Sequence, residues 1–251
     1  MSEWAIETDD LSRNFGSLHA VDGISLRIPK GQLYGFLGLN GAGKTTTIRM
    51  LTTLLPPTRG IARVWGHDVV KEALAVRRLV GLVSDETSES QSDWTAREYL
   101  GYFAHVRGMP DVEHAVEICL DSVGLDPGFR GKLIGTYSTG MKRRVEIARA
   151  LMGEPKLLFL DEPTRGLDLP AKRETWRLLR ELAERDNVTT FLSSHDAQEI
   201  RTLCAEVSVI ARGKLVFTGA TRDIGTDLES FEDRLIELLT GSTETARVAR
   251  T

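Results

Sequence analysis

Residues 38–45 read Gly38-Leu39-Asn40-Gly41-Ala42-Gly43-Lys44-Thr45, a full match to the phosphate-binding pattern G-x-x-x-x-G-K-[ST], which works only between a strand and a helix. Ahead of it, Leu33-Tyr34-Gly35-Phe36-Leu37 is an apolar run with the look of a buried strand. Behind it, Thr46 to Leu55 reads as a helix stopped by Pro56-Pro57. Glycines let backbone N–H groups curl around phosphate oxygens, and a helix N-terminus adds partial positive charge. Lys44 is placed to neutralise β- and γ-phosphates, and the Thr45 hydroxyl to ligate Mg²⁺. Asn40, Gly41, Gly43 and Thr46 complete the predicted phosphate-binding set. The expected ligand is a nucleoside triphosphate.

A second strand end supplies acids. Leu157-Leu158-Phe159-Leu160 is apolar on both faces, as in a covered parallel sheet, and runs into Asp161-Glu162-Pro163. Open α/β sheets place ligands at the C-terminal ends of their strands. Asp161 can hold Mg²⁺ through its water shell, and Glu162 can orient or deprotonate an attacking water. Thr164 to Asp168 forms a short loop before a helix predicted over Ala171 to Arg185. A third apolar strand, Val188 to Leu192, leads into Ser193-Ser194-His195. A lone histidine there can be structural, as a helix cap beside Asp196, but a third strand end at the same sheet edge favours a phosphate contact.

Composition narrows the setting. The chain has 251 residues, 41% hydrophobic and 27% charged, ordinary for a soluble globular protein. Its formal charge of −4 leaves no basic excess for a nucleic-acid backbone. Cys119 and Cys204 fit neither a disulfide framework nor a metal cluster, pointing to a reducing compartment. The N-terminal residues lack the regions of a signal peptide, and no apolar run approaches the roughly 20 residues that span a bilayer. Any membrane part is expected from another chain.

The segment Tyr137-Ser138-Thr139-Gly140-Met141-Lys142-Arg143-Arg144-Val145-Glu146-Ile147-Ala148-Arg149-Ala150-Leu151 resembles the signature motif of ABC-family ATPases, usually written L-S-G-G-Q and followed by a basic helix. The order phosphate loop, signature, Asp-Glu-Pro, Gly-Leu-Asp and histidine runs across nearly the whole chain. This resemblance implies an α/β fold: a RecA-like core with an antiparallel β subdomain and an α-helical subdomain. Residues 1–86 and 154–220 would form the core, 87–153 the helical part carrying the signature, and 221–251 a C-terminal helix and frayed tail. It further implies an ATPase that uses ATP and Mg²⁺, sits peripherally on the cytoplasmic side of the membrane, and drives a separate transmembrane permease subunit. In that family the signature of one subunit closes over the ATP of another, so a head-to-tail homodimer, or a heterodimer with a similar ATPase, is expected. Similarity assigns Ser138 and Gly140 to that trans contact, Asp168 to the interface loop, His195 to sensing the γ-phosphate, and Phe15 to stacking on adenine, with a core role as its competitor.

The sequence departs from the family pattern in two places. Thr139 and Met141 stand where glycine and glutamine are commonest, a form that resembles a variant of exporter subunits. After the strand predicted over Leu79 to Val83, the usual metal-touching glutamine is replaced by Ser84-Asp85-Glu86. Counting forward from the strand selects Asp85; counting back from Thr95 selects Glu86. Either carboxylate suits a hard cation, and Gln91 lies too far along without a rearranged loop. The motifs around Asn14-Phe15-Gly16 and Ala20 to Ser25 lean toward efflux subunits, with a soluble ATPase acting on a cytosolic assembly as the alternative.

Elsewhere, Ile24, Leu26 and Ile28 alternate as in a half-buried antiparallel strand, and Ile61 to Trp65 reads as another. Helices are expected over Ala96 to Arg107 and Val112 to Val123. A hairpin is expected across Arg212-Gly213, and a last helix carries Leu228, Phe231, Leu235 and Leu238 toward the core.

Overall fold

The structure is a computed structural model that describes residues 3–84, 91–186 and 188–241. The chain opens with a long hairpin of β1 (Trp4–Phe15) and β2 (Leu18–Pro29), whose buried residues alternate from Ile24 to Ile28 as the sequence predicts. With β4 (Arg59–Val64) and β5 (His67–Asp68) it forms an antiparallel sheet in the order β2-β1-β4-β5.

The second sheet has the order β10-β9-β3-β8-β7-β6. Its members are β3 (Leu33–Leu37), β6 (Val80–Val83), β7 (Leu157–Asp161), β8 (Thr189–Ser194), β9 (Glu206–Ala211) and β10 (Lys214–Ala220). All neighbours pair parallel except β9 with β10, the predicted hairpin. Its turn residues Arg212 and Gly213 both have left-handed φ, +49° and +80°, which matches the twist of a two-residue hairpin. β3, β7 and β8 are buried along their whole length. Alternate residues serve two cores. Tyr34, Phe36, Phe159 and Phe191 pack with Ile6, Ile24, Ile48 and Met50 against the antiparallel sheet. Leu33, Leu37, Leu158, Leu160 and Leu192 face the helices on the other side.

Those helices are α3 (Ala96–Val106), α4 (Val112–Ser122), α5 (Thr139–Leu151), α6 (Leu169–Asp186), α7 (Ala197–Leu203) and α8 (Leu228–Thr240). α3 begins with a complete capping box between Thr95 and Glu98, and Asp111 caps α4. On α5, Val145 and Ala148 are buried, and so are the charged residues Arg143 and Glu146. Phe231 and Leu235 on α8 are buried, so that helix packs on its own core.

Several predicted ends move. α1 spans Lys44–Leu51 and stops well before the prolines. Thr52 Oγ1 bonds back to the Ile48 carbonyl at 2.8 Å, and Thr53 takes a left-handed φ of +65°, which turns the chain out of the helix. Leu79 closes a short unpredicted helix, α2 (Ala73–Leu79), and the strand starts at Val80. α6 starts two residues before Ala171, because Pro170 needs no N–H partner in a first turn.

Candidate nucleotide site at the strand ends

Parallel pairing aligns the C-terminal ends of three strands: Leu37 lies opposite Ser194, and Asp161 opposite Ser193. The loop after β3 then turns into α1 through Gly43, whose φ is +111°. A Cβ there would come 2.5 Å from the Ala20 carbonyl oxygen, so both the backbone angle and the close approach of β2 require glycine.

α1 starts differently from most of the helices, and shares its uncapped start with the short α2. α3, α4, α5, α7 and α8 each have a side chain accepting from a first-turn N–H. α1 has no side-chain cap and no acidic residue in its first turn. Its opening N–H groups are left for an anion.

The Lys44 ammonium is buried within the loop. It donates to the carbonyls of Gly38 at 2.7 Å and Leu39 at 3.2 Å, and lies 2.9 Å from Glu162 Oε1. That contact is an ion pair without hydrogen-bond alignment, and among the described residues Glu162 Oε1 has no other donor. The other oxygen, Oε2, is 2.5 Å from His195 Nδ1. A carboxylate only accepts, so Nδ1 carries the proton in this pair. Glu162 itself sits at φ +53°, a left-handed conformation uncommon for a residue with a side chain. Its N–H is anchored by the Ser193 carbonyl and hydroxyl, each at 3.2 Å. The Ser193 hydroxyl also donates to Asp161 Oδ1 at 2.5 Å, which fixes that carboxylate at the strand end.

Around these groups opens a cleft of about 700 Å³. Phe15, Asn40, Gly41, Gly43, Lys44, Thr45, Thr46 and Glu162 line it, so one space gathers most of the predicted residues. Phe15 is 46% exposed, which excludes the core role; the Arg13 guanidinium lies 4.7 Å from its ring centre. Leu18, His19 and Ala20 at the start of β2 also line the cleft, as do Arg165, Arg212 and Gly213. Sequence reasoning missed the two arginines. Arg165 lay inside a loop noted only for its length, and Arg212 reaches the site only because β9 pairs beside β3.

Asp161 and His195 lie behind the lining, on Ser193 and Glu162, while Ser138, Gly140 and Asp168 stand apart from the cleft. Ser138 is exposed and caps α5 by accepting from the Met141 N–H at 3.2 Å. A Cβ on Gly140 would lie 3.2 Å from Ala171 Cβ, and Asp168 Oδ1 accepts from the Ala171 N–H at 2.9 Å. Ser138, Gly140 and Asp168 therefore share one edge, where α5 and α6 begin. Asp85 and Glu86 lie outside the described residues. Gln91 is buried and donates to Glu146 of α5, not to the cleft.

A family model described as ABC transporter matches residues 21–165. The bacitracin transport ATP-binding protein BcrA of Bacillus licheniformis is 43% identical over 211 residues, 84% of this chain and 68% of that protein. The daunorubicin/doxorubicin resistance ATP-binding protein DrrA of Streptomyces peucetius is 40% identical over 229 residues, 90% of this chain and 68% of that protein. The solved structure of cbiO1 from Clostridium perfringens, part of the ABC transporter complex cbiONQ, matches with a TM-score of 0.82 at 25% identity, covering 96% of this chain and 97% of that one.

Proposed function

The chain belongs to the ABC transporter family, and we propose that it is the ATP-hydrolysing subunit of an exporter whose membrane passage is a separate permease subunit. The observation that carries this is the Glu162 carboxylate, set between the phosphate-loop ammonium and the His195 imidazole at the mouth of the glycine loop. Among the described residues Oε1 has only the unaligned Lys44 ammonium and the start of α1 has no side-chain cap, and a phosphate chain with an attacking water fits both.

On this reading, phosphate oxygens replace Glu162 as the partner of Lys44, which frees the carboxylate. Glu162 then takes a proton from water as the water oxygen attacks the γ-phosphorus. The bond from that phosphorus to the bridging oxygen breaks, releasing ADP and inorganic phosphate. His195 holds Glu162 in place and reaches the γ-phosphate, and Lys44 offsets charge that builds on the transferred group. Thr45 and Asp161 are the residues that would hold Mg²⁺, which offsets the charge of the phosphates. Phe15 stacks on adenine.

Ser138, Gly140 and Asp168 have no part in their own chain's cleft, which supports assigning them to ATP held by a second subunit, identical or similar. Residues 87–153 would then move as a unit against the core, at the cytoplasmic face of the membrane. None of the described helices is long and apolar enough to cross a membrane. The relatives named for bacitracin transport and for daunorubicin/doxorubicin resistance support efflux as the direction.

The test is Mg²⁺-dependent ATP hydrolysis by the purified chain, and its stimulation in a complex isolated from membranes. Absence of hydrolysis in both would overturn the proposal. Mixing inactive Lys44→Ala and Ser138→Arg chains should restore partial turnover, because each mixed dimer keeps one intact composite site. No recovery would count against the trans arrangement.

A further inference from the structure

Glu199, on α7, is 1% exposed beneath the site, and nothing in the hydrolytic scheme uses it. Its Oε1 accepts from Thr164 Oγ1 at 2.7 Å and from Trp176 Nε1 at 2.9 Å, while Oε2 accepts from Ser194 Oγ at 2.5 Å. The three donors come from three segments. Thr164 follows Glu162 by two residues, Ser194 immediately precedes His195, and Trp176 belongs to α6, which begins beside Asp168.

The direction of these bonds follows from the partners. An indole N–H can only donate. The Ser194 hydroxyl accepts the Asp196 N–H at 3.0 Å, leaving its own proton for Glu199. Both oxygens thus serve as acceptors, the role of an ionised carboxylate. Burial holds the Glu199 carboxyl above its ordinary value, and the three donors offset only part of that rise. A buried acid is costly where a neutral side chain would fill the same space, so its retention points to a task. Its helix is fastened as well: Asp196 accepts the Glu199 N–H at 3.0 Å and pairs with Lys172 of α6.

We propose that Glu199 is the positioning residue of the hydrolytic centre, clamping the segments that carry Glu162 and His195 in one fixed relation; this rests on the ATPase reading above. Thr164, Ser194 and Trp176 do not line the nucleotide cleft. The clamp therefore sets the reacting geometry and leaves nucleotide affinity alone.

Steady-state kinetics and bound nucleotide per chain, measured on the full chain, test this. Glu199→Ala should lower kcat by about 10²-fold, the cost of a small misplacement of reacting groups, and Glu199→Gln by roughly tenfold, since its amide keeps one acceptor oxygen. KM for ATP should stay within about twofold of the parent in both. Ser194→Ala and Thr164→Val each remove a single donor and should give smaller kcat losses; they keep the test readable if Glu199→Ala does not fold. Because Glu199 acts through Glu162, the Glu162→Gln/Glu199→Gln double variant should be no slower than Glu162→Gln alone. Full kcat in Glu199→Gln and both donor variants would overturn the inference. So would losses that multiply in the double variant or that track a fall in bound nucleotide per chain. A parent chain that hydrolyses no ATP would overturn the ATPase reading too, whereas an active parent with fully active Glu199 variants would overturn this inference alone.

Discussion

Glu162 at the strand ends and Glu146 in α5 are both buried, at 7% and 3% exposure, yet they meet their neighbours differently. Glu146 is enclosed by donors. Gln91 and Tyr99 donate to Oε1, and Arg149 Nε donates to Oε2 at 3.1 Å. Burial and the nearby Glu146 charge raise the Tyr99 pKa, so its hydroxyl keeps the proton it donates. Arg149 also reaches the Leu82 carbonyl of β6 at 2.9 Å and lies over the Phe103 ring. Glu162 has a left-handed backbone, one oxygen without an aligned donor, and an open cleft in front of it. Closed polar networks stabilise a structure, while an unmet acceptor on a strained backbone marks a place arranged for a ligand.

The largest expected effect tests the open side of this contrast. Glu162→Gln should cut turnover by about 10² or more, the scale of general-base effects, while ATP binding persists. Turnover near the parent's in a binding and hydrolysis assay would remove Glu162 from the mechanism. The closed side should respond in the opposite sense. Glu146→Ala should lower folding stability by about 2 kcal/mol, because it strands buried donors, and leave turnover per folded chain near that of the parent. Urea unfolding alongside an activity assay checks this, and a collapse of turnover without loss of stability would erase the distinction. The smallest effect belongs to the cleft's rim. Phe15→Ala should weaken ATP binding by about 1 kcal/mol, roughly fivefold, without affecting stability. A nucleotide titration showing unchanged affinity would remove the stacking role.

The legible parts of this molecule are those whose physics is local. The glycine loop, the acids after Leu160 and the histidine after Ser194 each lie within a few residues of the strand that presents them. Their grouping follows once the strands are parallel and adjacent. Helix ends were less legible where a side chain intervened. Thr52 and Thr53 ended α1 before Pro56 could, by a back-bond and a left-handed turn that propensity does not announce. Glu199 was overlooked because an acid soon after a histidine reads as an exposed helix residue. Only its donors, brought in from Thr164 and Trp176, give it a reason to be buried.

By itself, then, the sequence determined the strand, loop and helix around the phosphate site and the chemical types gathered there, since short-range spacing controls which groups a strand end presents. Tertiary structure alone decided that Arg212 faces the cleft, because strand order is set by packing across the whole sheet. It also decided that Ser138, Gly140 and Asp168 share an edge away from their own cleft. Where two helix starts meet depends on how α5 and α6 bury their apolar faces, and no local pattern in either segment encodes that contact.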